Sequence, residues 1–243
     1  MVLVASDGRC KGAGGFGIII RIMGYEDLTE IYELLYDVFG PQHWWPGETR
    51  FEIIAGAILT QNTNWANVER AISNLKSADL LDPHKIHQLD TSQLAELIRP
   101  AGYSNIKAKR LKNFLDWLFG NYDGELSSLE NVDTERLRVE LLSIKGVGRE
   151  TADSILLYAF ERPIFVVDAY TARIACRHGL IGPDADYEQL RELFESSLPQ
   201  DIKLFNEYHA LLVRLGKEFC RPKARCAECP LEKLPHTLDI EYV

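Results

Sequence analysis

The chain has 243 residues, 46% hydrophobic and 26% charged, enough for one large domain or two small ones with a substantial core. Its net charge of −9 excludes a surface coated in basic residues for nonspecific nucleic-acid binding, and leaves a local basic face open. The longest apolar run, 53–59, is far too short to span a membrane, and no basic segment leads into a long apolar one. A cytoplasmic chain with no membrane partner is therefore expected.

Residues 1–22 contain Asp7-Gly8, Gly12 and Gly14-Gly15 and show no helical period. They read as a disordered or artefactual tail, with Met23 an alternative start. From residue 23 the chain reads almost wholly as helix. Leu28, Ile31, Tyr32, Leu34, Leu35 and Val38 form an apolar stripe, closed by Gly40-Pro41. Helices follow over 51–59 and around 68–75. Thr91-Ser92 can cap a helix that runs to 98 and is closed by 99–102. A long amphipathic helix covers 106–119. Asp133-Thr134 opens another that ends near 144, and a further helix spans 149–160. Residues 164–167 are strand-like but only four long, and read as an extended connector. Helices over 168–178, 187–197 and 204–219 complete an all-α chain.

The most informative stretch is 141–153, Leu-Leu-Ser-Ile-Lys-Gly-Val-Gly-Arg-Glu-Thr-Ala-Asp. A helix ends, glycines stand at 146 and 148 with Val147 between them, and a second helix begins at once. Glycines there permit positive φ and close approach of another backbone. The start of the second helix presents backbone N–H groups and a positive dipole end, which bind phosphate without a basic side chain. A plain helix–helix connection with a glycine cap is the alternative.

Downstream lies Val166-Val167-Asp168-Ala169-Tyr170-Thr171-Ala172-Arg173. The Gly-Val-Gly hairpin paired with a downstream Val-Asp resembles the endonuclease III, or helix-hairpin-helix, superfamily of DNA glycosylases, over about residues 25–229. The resemblance implies that Lys145, Gly146, Val147, Gly148 and Arg149 grip the DNA backbone and that Asp168 is catalytic. Asp168 can equally be a helix N-cap, and the two roles are compatible. Backbone N–H groups favour an ionised carboxylate. Such a carboxylate stabilises the oxocarbenium-like sugar left when a base departs, and can orient or deprotonate the attacking water. Bifunctional members of the family carry a lysine just after the residue matching Arg149. Here the position is Glu150, which cannot form a Schiff base.

Trp44-Trp45-Pro46 and Ile58-Leu59-Thr60-Gln61-Asn62-Thr63-Asn64-Trp65, with the hairpin, look most like the bacterial 3-methyladenine glycosylase branch. That likeness implies that Trp45 and Trp65 line a base pocket beside Trp44, where indole faces attract a cationic alkylated purine. Trp44 and Trp45 can alternatively anchor the N-terminal helix. Gln61 matches the residue that fills the gap left by the flipped base, or is a capping glutamine. Lys217 matches a lysine carried in carbamylated form near the pocket, or is an exposed helix lysine.

Three of five cysteines crowd the C-terminus as Cys220-x5-Cys226-x2-Cys229. The spacing resembles the iron–sulfur loop of endonuclease III relatives, which implies a [4Fe-4S] cluster. A fourth cysteine would fall near 235, where Leu234-Pro235-His236 stands. The cysteine set is incomplete: His236 is a candidate fourth ligand, zinc suits three cysteines and a histidine, and the cluster is absent otherwise.

The family implies two helical domains with DNA and base in the cleft between them. Residues 51–162 would form a six-helix domain ending in the hairpin. Residues 23–50 and 163–243 would form the second. The expected function is monofunctional excision of a damaged base, an alkylated purine, from double-stranded DNA by a monomer. The alternatives are an endonuclease III-type glycosylase and lyase on oxidised pyrimidines, or a non-catalytic DNA-binding protein.

Overall fold

The computed structural model describes residues 10–12, 25–238 and 240–242. In chain order the helices are α1 (Tyr25–Phe39), α2 (Arg50–Leu59), α3 (Trp65–Ser77), α4 (Pro83–Gln88), α5 (Thr91–Leu97) and α6 (Ser104–Tyr122). There follow α7 (Thr134–Ser143), α8 (Arg149–Ser154), α9 (Ala169–Arg177), α10 (Tyr187–Ser197) and α11 (Ile202–Glu218). Among the described residues the chain is all-α apart from two three-residue strands, β1 (Cys10–Gly12) and β2 (Ile240–Tyr242), paired antiparallel. β1 falls inside the segment read as an unstructured tail. Three residues are too few to show the two-residue alternation by which a strand is recognised. The tail reading for the rest of 1–22, and the alternative start at Met23, lie outside the described residues.

Two compact units emerge from the internal contacts: Trp45–Arg162, and Pro163–Val243 with the described part of Val4–Trp44. In the first, α6 supplies the centre through Leu111, Phe114, Leu115 and Leu118, all fully buried. Ile54 and Ile58 of α2, Val68 of α3 and Leu94 of α5 complete the same core. Lys107 is buried too. Its ammonium donates to the carbonyls of Leu59 (2.8 Å) and Ala101 (2.7 Å), and so ties together two segment ends.

In the second unit, Leu28, Ile31 and Leu35 of α1 are buried. The Tyr208 hydroxyl of α11 donates to the Leu28 carbonyl at 2.8 Å. Phe165 stacks on Phe194 with ring centres 4.0 Å apart, and Phe205 and Tyr208 meet Phe165 edge-on. The connector containing Phe165 is extended, as its apolar run implied, and buried from Ile164 to Val167.

Local sequence explains most boundaries. Thr49, Asn64, Asp133, Asp186 and Asp201 each accept from a backbone N–H of the helix that follows. Two expectations need correction, and one helix escapes the sequence reading. The cap of α5 is Asp90, not Thr91-Ser92, and Gln93 returns a bond to the Asp90 N–H. The short helix α4, opened by Asp82 and Pro83, has no apolar period and escapes a pattern search. The helix expected over 149–160 changes at Ile155 into a π-helical turn ending at Ala159.

Candidate active site

The hairpin is built by α7, the turn and α8. Gly146 has φ +100, and a Cβ there would collide with the side chain of Arg110 from α6. Glycine is required on both counts. Gly148 differs: its φ is −95, it caps α8, and a Cβ would meet nothing within 4 Å. The lack of a side chain there leaves the start of α8 open to an approaching group. Val147 is buried at 6% exposure and plugs the turn, while Lys145, Arg149 and Glu150 are exposed. The turn is braced from behind. Asn113 of α6 donates to the Lys145 carbonyl at 2.7 Å. Gln61 donates to the Gly146 carbonyl (3.1 Å) and to the Thr151 hydroxyl (2.9 Å), and its own carbonyl accepts from Arg110. Arg138 of α7 and Asp153 of α8 lock the two helices with a buried bidentate pair.

The same unit gathers an aromatic group. Trp45 meets Trp65 edge-on at 5.1 Å and lies against Tyr158 at 5.0 Å. Gly56 of α2 lets both indoles approach, with Trp45 Nε1 and Trp65 Cη2 at 3.4 and 3.5 Å from where a Cβ would stand. Both tryptophans are half-buried. Tyr158 was not singled out from the sequence. It sits on the π-helical turn, a feature that recurs at functional sites and re-aims side chains. No period in the sequence signals it.

Asp168 belongs to the second unit. It caps α9: Oδ1 accepts from the Thr171 backbone N–H (2.7 Å) and from the Thr171 hydroxyl (2.9 Å). The side chain is 11% exposed, and its Oδ2 lies 3.8 Å from Nε2 of His209 on α11. Burial pulls the His209 imidazole below its ordinary range, with Asp168 pulling it back and Lys217 adding to the fall. Lys217, two turns on from His209, is also drawn down, first by desolvation of its ammonium and against the attraction of Asp168. Its Nζ stands over the Trp44 ring, 5.8 Å from the centre. α9 packs on α11 because Tyr170 occupies the space a side chain at Gly216 would need. The expected site residues thus fall in two sets: Trp45, Trp65, Gln61 and the hairpin in one unit, Asp168, Trp44 and Lys217 in the other. His209 joins the second set and was missed, because a histidine inside an apolar helix face looks like any core residue.

The C-terminal loop is pinned by α9. Arg173 donates to the Cys220 carbonyl at 2.7 Å. Arg177 donates to Cys220 Sγ (3.3 Å) and to the carbonyls of Arg221 and Pro222. Cys220, Cys226 and Cys229 line one cavity with His178 and His236. Among the described residues, however, no three His, Cys, Asp or Glu side chains are gathered as a metal site, and His236 Nδ1 lies 2.9 Å from the Leu234 carbonyl. Three thiols do not fit a four-thiolate cluster. Among the described residues, no helix is long and apolar enough to cross a membrane.

Residues 55–200 match the HhH-GPD superfamily base excision DNA repair protein family, so the chain belongs to that superfamily. It is a DNA glycosylase of base excision repair, and the reading as a non-catalytic DNA-binding protein falls. A protein of Methanocaldococcus jannaschii that carries the name of a DNA repair glycosylase, MJ1434, is 54% identical over 210 residues, 86% of this chain and 96% of its own. The endonuclease III of Sulfolobus acidocaldarius is 30% identical over 187 residues, 75% of this chain and 81% of its own. Among solved structures, the H. pylori 3-methyladenine DNA glycosylase MagIII bound to 1,N6-ethenoadenine is 30% identical, with a TM-score of 0.67 over 80% of this chain and 97% of that one. A non-covalent endonuclease III–DNA complex, 22% identical with a TM-score of 0.75 over 88% of this chain and 95% of that one, shares the fold.

Proposed function

We propose that the chain is a monofunctional glycosylase that hydrolyses the N-glycosidic bond of an alkylated purine in double-stranded DNA, acting as a cytoplasmic monomer. The observation that carries the reading is Asp168. One carboxylate oxygen is tied down by Thr171, and the other is held in a nearly buried setting against His209. A fixed anion of this kind stabilises an oxocarbenium-like sugar far better than a mobile, solvated one.

The other residues take these roles. Lys145, Gly146, Val147, Gly148 and Arg149 hold the strand, with backbone N–H groups at the start of α8 toward phosphate. Gln61 fills the gap left by the extruded nucleotide, which requires it to leave its bonds to Gly146 and Thr151. Trp44, Trp45 and Trp65 receive the base, and Tyr158 supports Trp45. A cationic methylated purine gains from indole faces and is an activated leaving group, so no strong general acid is needed. Lys217 serves in carbamylated form: a lysine drawn below its ordinary range offers more neutral amine to carbon dioxide, and the product no longer repels a cation. The similarity to MagIII supports this substrate class. Cys220, Cys226, Cys229 and His236 take no part in the chemistry.

Glu150 supports the monofunctional reading over the endonuclease III-type alternative, since it offers no amine to the sugar. The test is a panel of duplexes carrying methylated purines, oxidised pyrimidines or mismatches, with strand nicking scored separately. Release of methylated purine with no nicking and no borohydride-trapped adduct is expected. A trapped adduct overturns the monofunctional reading, and release confined to oxidised pyrimidines overturns the substrate class.

A further inference from the structure

We propose that His209 is the second anchor of the attacking water: its Nε2 and Oδ2 of Asp168 together hold the molecule that adds to C1′ of the damaged nucleotide. The inference rests on the reading of Asp168 as the catalytic carboxylate and names the group that acts with it.

The two oxygens of Asp168 are not equivalent. Oδ1 accepts from both the N–H and the hydroxyl of Thr171. Oδ2 points toward α11, 3.8 Å from His209 Nε2. That separation is too long for a direct hydrogen bond. It suits a water at about 2.8 Å from each atom, the usual way two polar groups beyond 3.5 Å are joined. The flanking side chains are only 6% and 11% exposed, so a water placed there is held rather than exchanged with bulk at random.

The geometry also sets the direction of attack. A water that donates one hydrogen to Asp168 Oδ2 and the other to His209 Nε2 turns its lone pairs away from both. One of those lone pairs forms the new bond to C1′. The C1′–N bond breaks, its electron pair leaves with the base, and one water proton passes to Asp168 Oδ2. His209 must be neutral with its proton on Nδ1, and burial favours the neutral ring. The ring is rigidly placed. Its neighbour Tyr208 is anchored to the Leu28 carbonyl, and Gly216 on the same helix face lets Tyr170 seat α9 against α11.

The experiment compares wild type, Asp168→Asn, His209→Leu, His209→Gln and the double variant Asp168→Asn/His209→Leu. Single-turnover base release is measured on a duplex containing a 3-methylated purine, alongside duplex affinity and thermal unfolding. His209→Leu should slow release about 30-fold, with affinity within about two-fold of wild type. His209→Gln, which keeps a hydrogen-bonding group in place, should recover about ten-fold of that loss. The double variant should be no slower than Asp168→Asn alone, because both groups act on one water. A His209→Leu variant at the wild-type rate, or a His209→Gln variant as slow as His209→Leu while folded, overturns the proposal. If His209→Leu does not fold, a folded His209→Gln about three-fold slower than wild type at unchanged affinity supports it, and a folded His209→Gln at the wild-type rate or at background overturns it. An Asp168→Asn variant with full activity, or a wild type that releases no base, overturns the catalytic reading beneath it and this inference with it.

Discussion

Arg138 and Asp153 form a buried bidentate ion pair, Nε to Oδ1 at 2.7 Å and Nη2 to Oδ2 at 3.1 Å, across the two helices of the hairpin. Asp153 is fully buried and Arg138 nearly so. Removing one partner strands the other charge in the protein interior, at about 3–5 kcal/mol. Asp153→Leu is therefore expected to lower the unfolding free energy by that amount. Replacing both by Asp153→Leu and Arg138→Met should recover a large part of the loss. Denaturant melts of wild type, Asp153→Leu, Arg138→Met and the double variant decide it, and additive losses would show that the pair is not coupled.

The two hairpin glycines should respond differently. Gly146→Ala places a Cβ at φ +100 and against Arg110, with an expected loss of about 1–3 kcal/mol of stability. Gly148→Ala meets no obstacle at φ −95, so its melting temperature should match wild type. A methyl group there would still stand in the space proposed for a phosphate. Gly148→Ala should weaken duplex affinity with no loss of stability, as fluorescence anisotropy and melts on the same preparation would show. Unchanged affinity would move phosphate binding elsewhere.

The aromatic group should read the charge of the base. Trp45→Leu removes an indole face and about 1–2 kcal/mol of attraction for a cation, an expected 5- to 30-fold fall for a 3-methylated purine. Release of uncharged 1,N6-ethenoadenine, if the enzyme accepts it, should fall less. Tyr158→Leu loosens Trp45 by losing a ring contact of about 0.5–1.5 kcal/mol and should show the same bias in weaker form. Equal losses on both substrates would remove charge recognition from the role of these rings.

Lys107 gives a pH signature. Burial draws its ammonium down to about 8, below the value of a free lysine. A lysine with a depressed folded value loses its proton first in the folded chain. Between about pH 8 and the free-lysine range the unfolded chain binds more protons, so stability rises with pH on account of this group. Other groups titrate in the same window, so the measurable quantity is the difference from Lys107→Met. Wild type should gain on that variant as pH increases from 8 to 10, and a constant gap would show that Lys107 keeps its proton throughout.

Much of the fold was readable because helices announce themselves locally. The apolar stripe of α1 and the Asp133 cap of α7 are properties of adjacent residues, and the structure places both elements as read. The two-glycine turn was equally plain. What it left undecided was that only Gly146 is conformationally required, since that depends on Arg110 arriving from α6. The π-helical turn and Tyr158 were invisible, because one extra residue in a helical turn leaves no mark on an apolar pattern. The cap of α5 was misplaced by one residue, since Asp90, Thr91 and Ser92 are all good capping types.

Chemistry followed the same division. Asp168 could be picked out as a candidate by its motif, and Glu150 by its chemical type, from the order of residues alone. His209 could not: it lies 41 positions beyond Asp168 in the chain, on a helix whose apolar period gives no hint of a partner. Backbone propensity and capping act between near neighbours and are therefore written along the chain. Which buried polar group faces which carboxylate is set by how α9 and α11 pack, and packing is decided only when distant side chains compete for the same space.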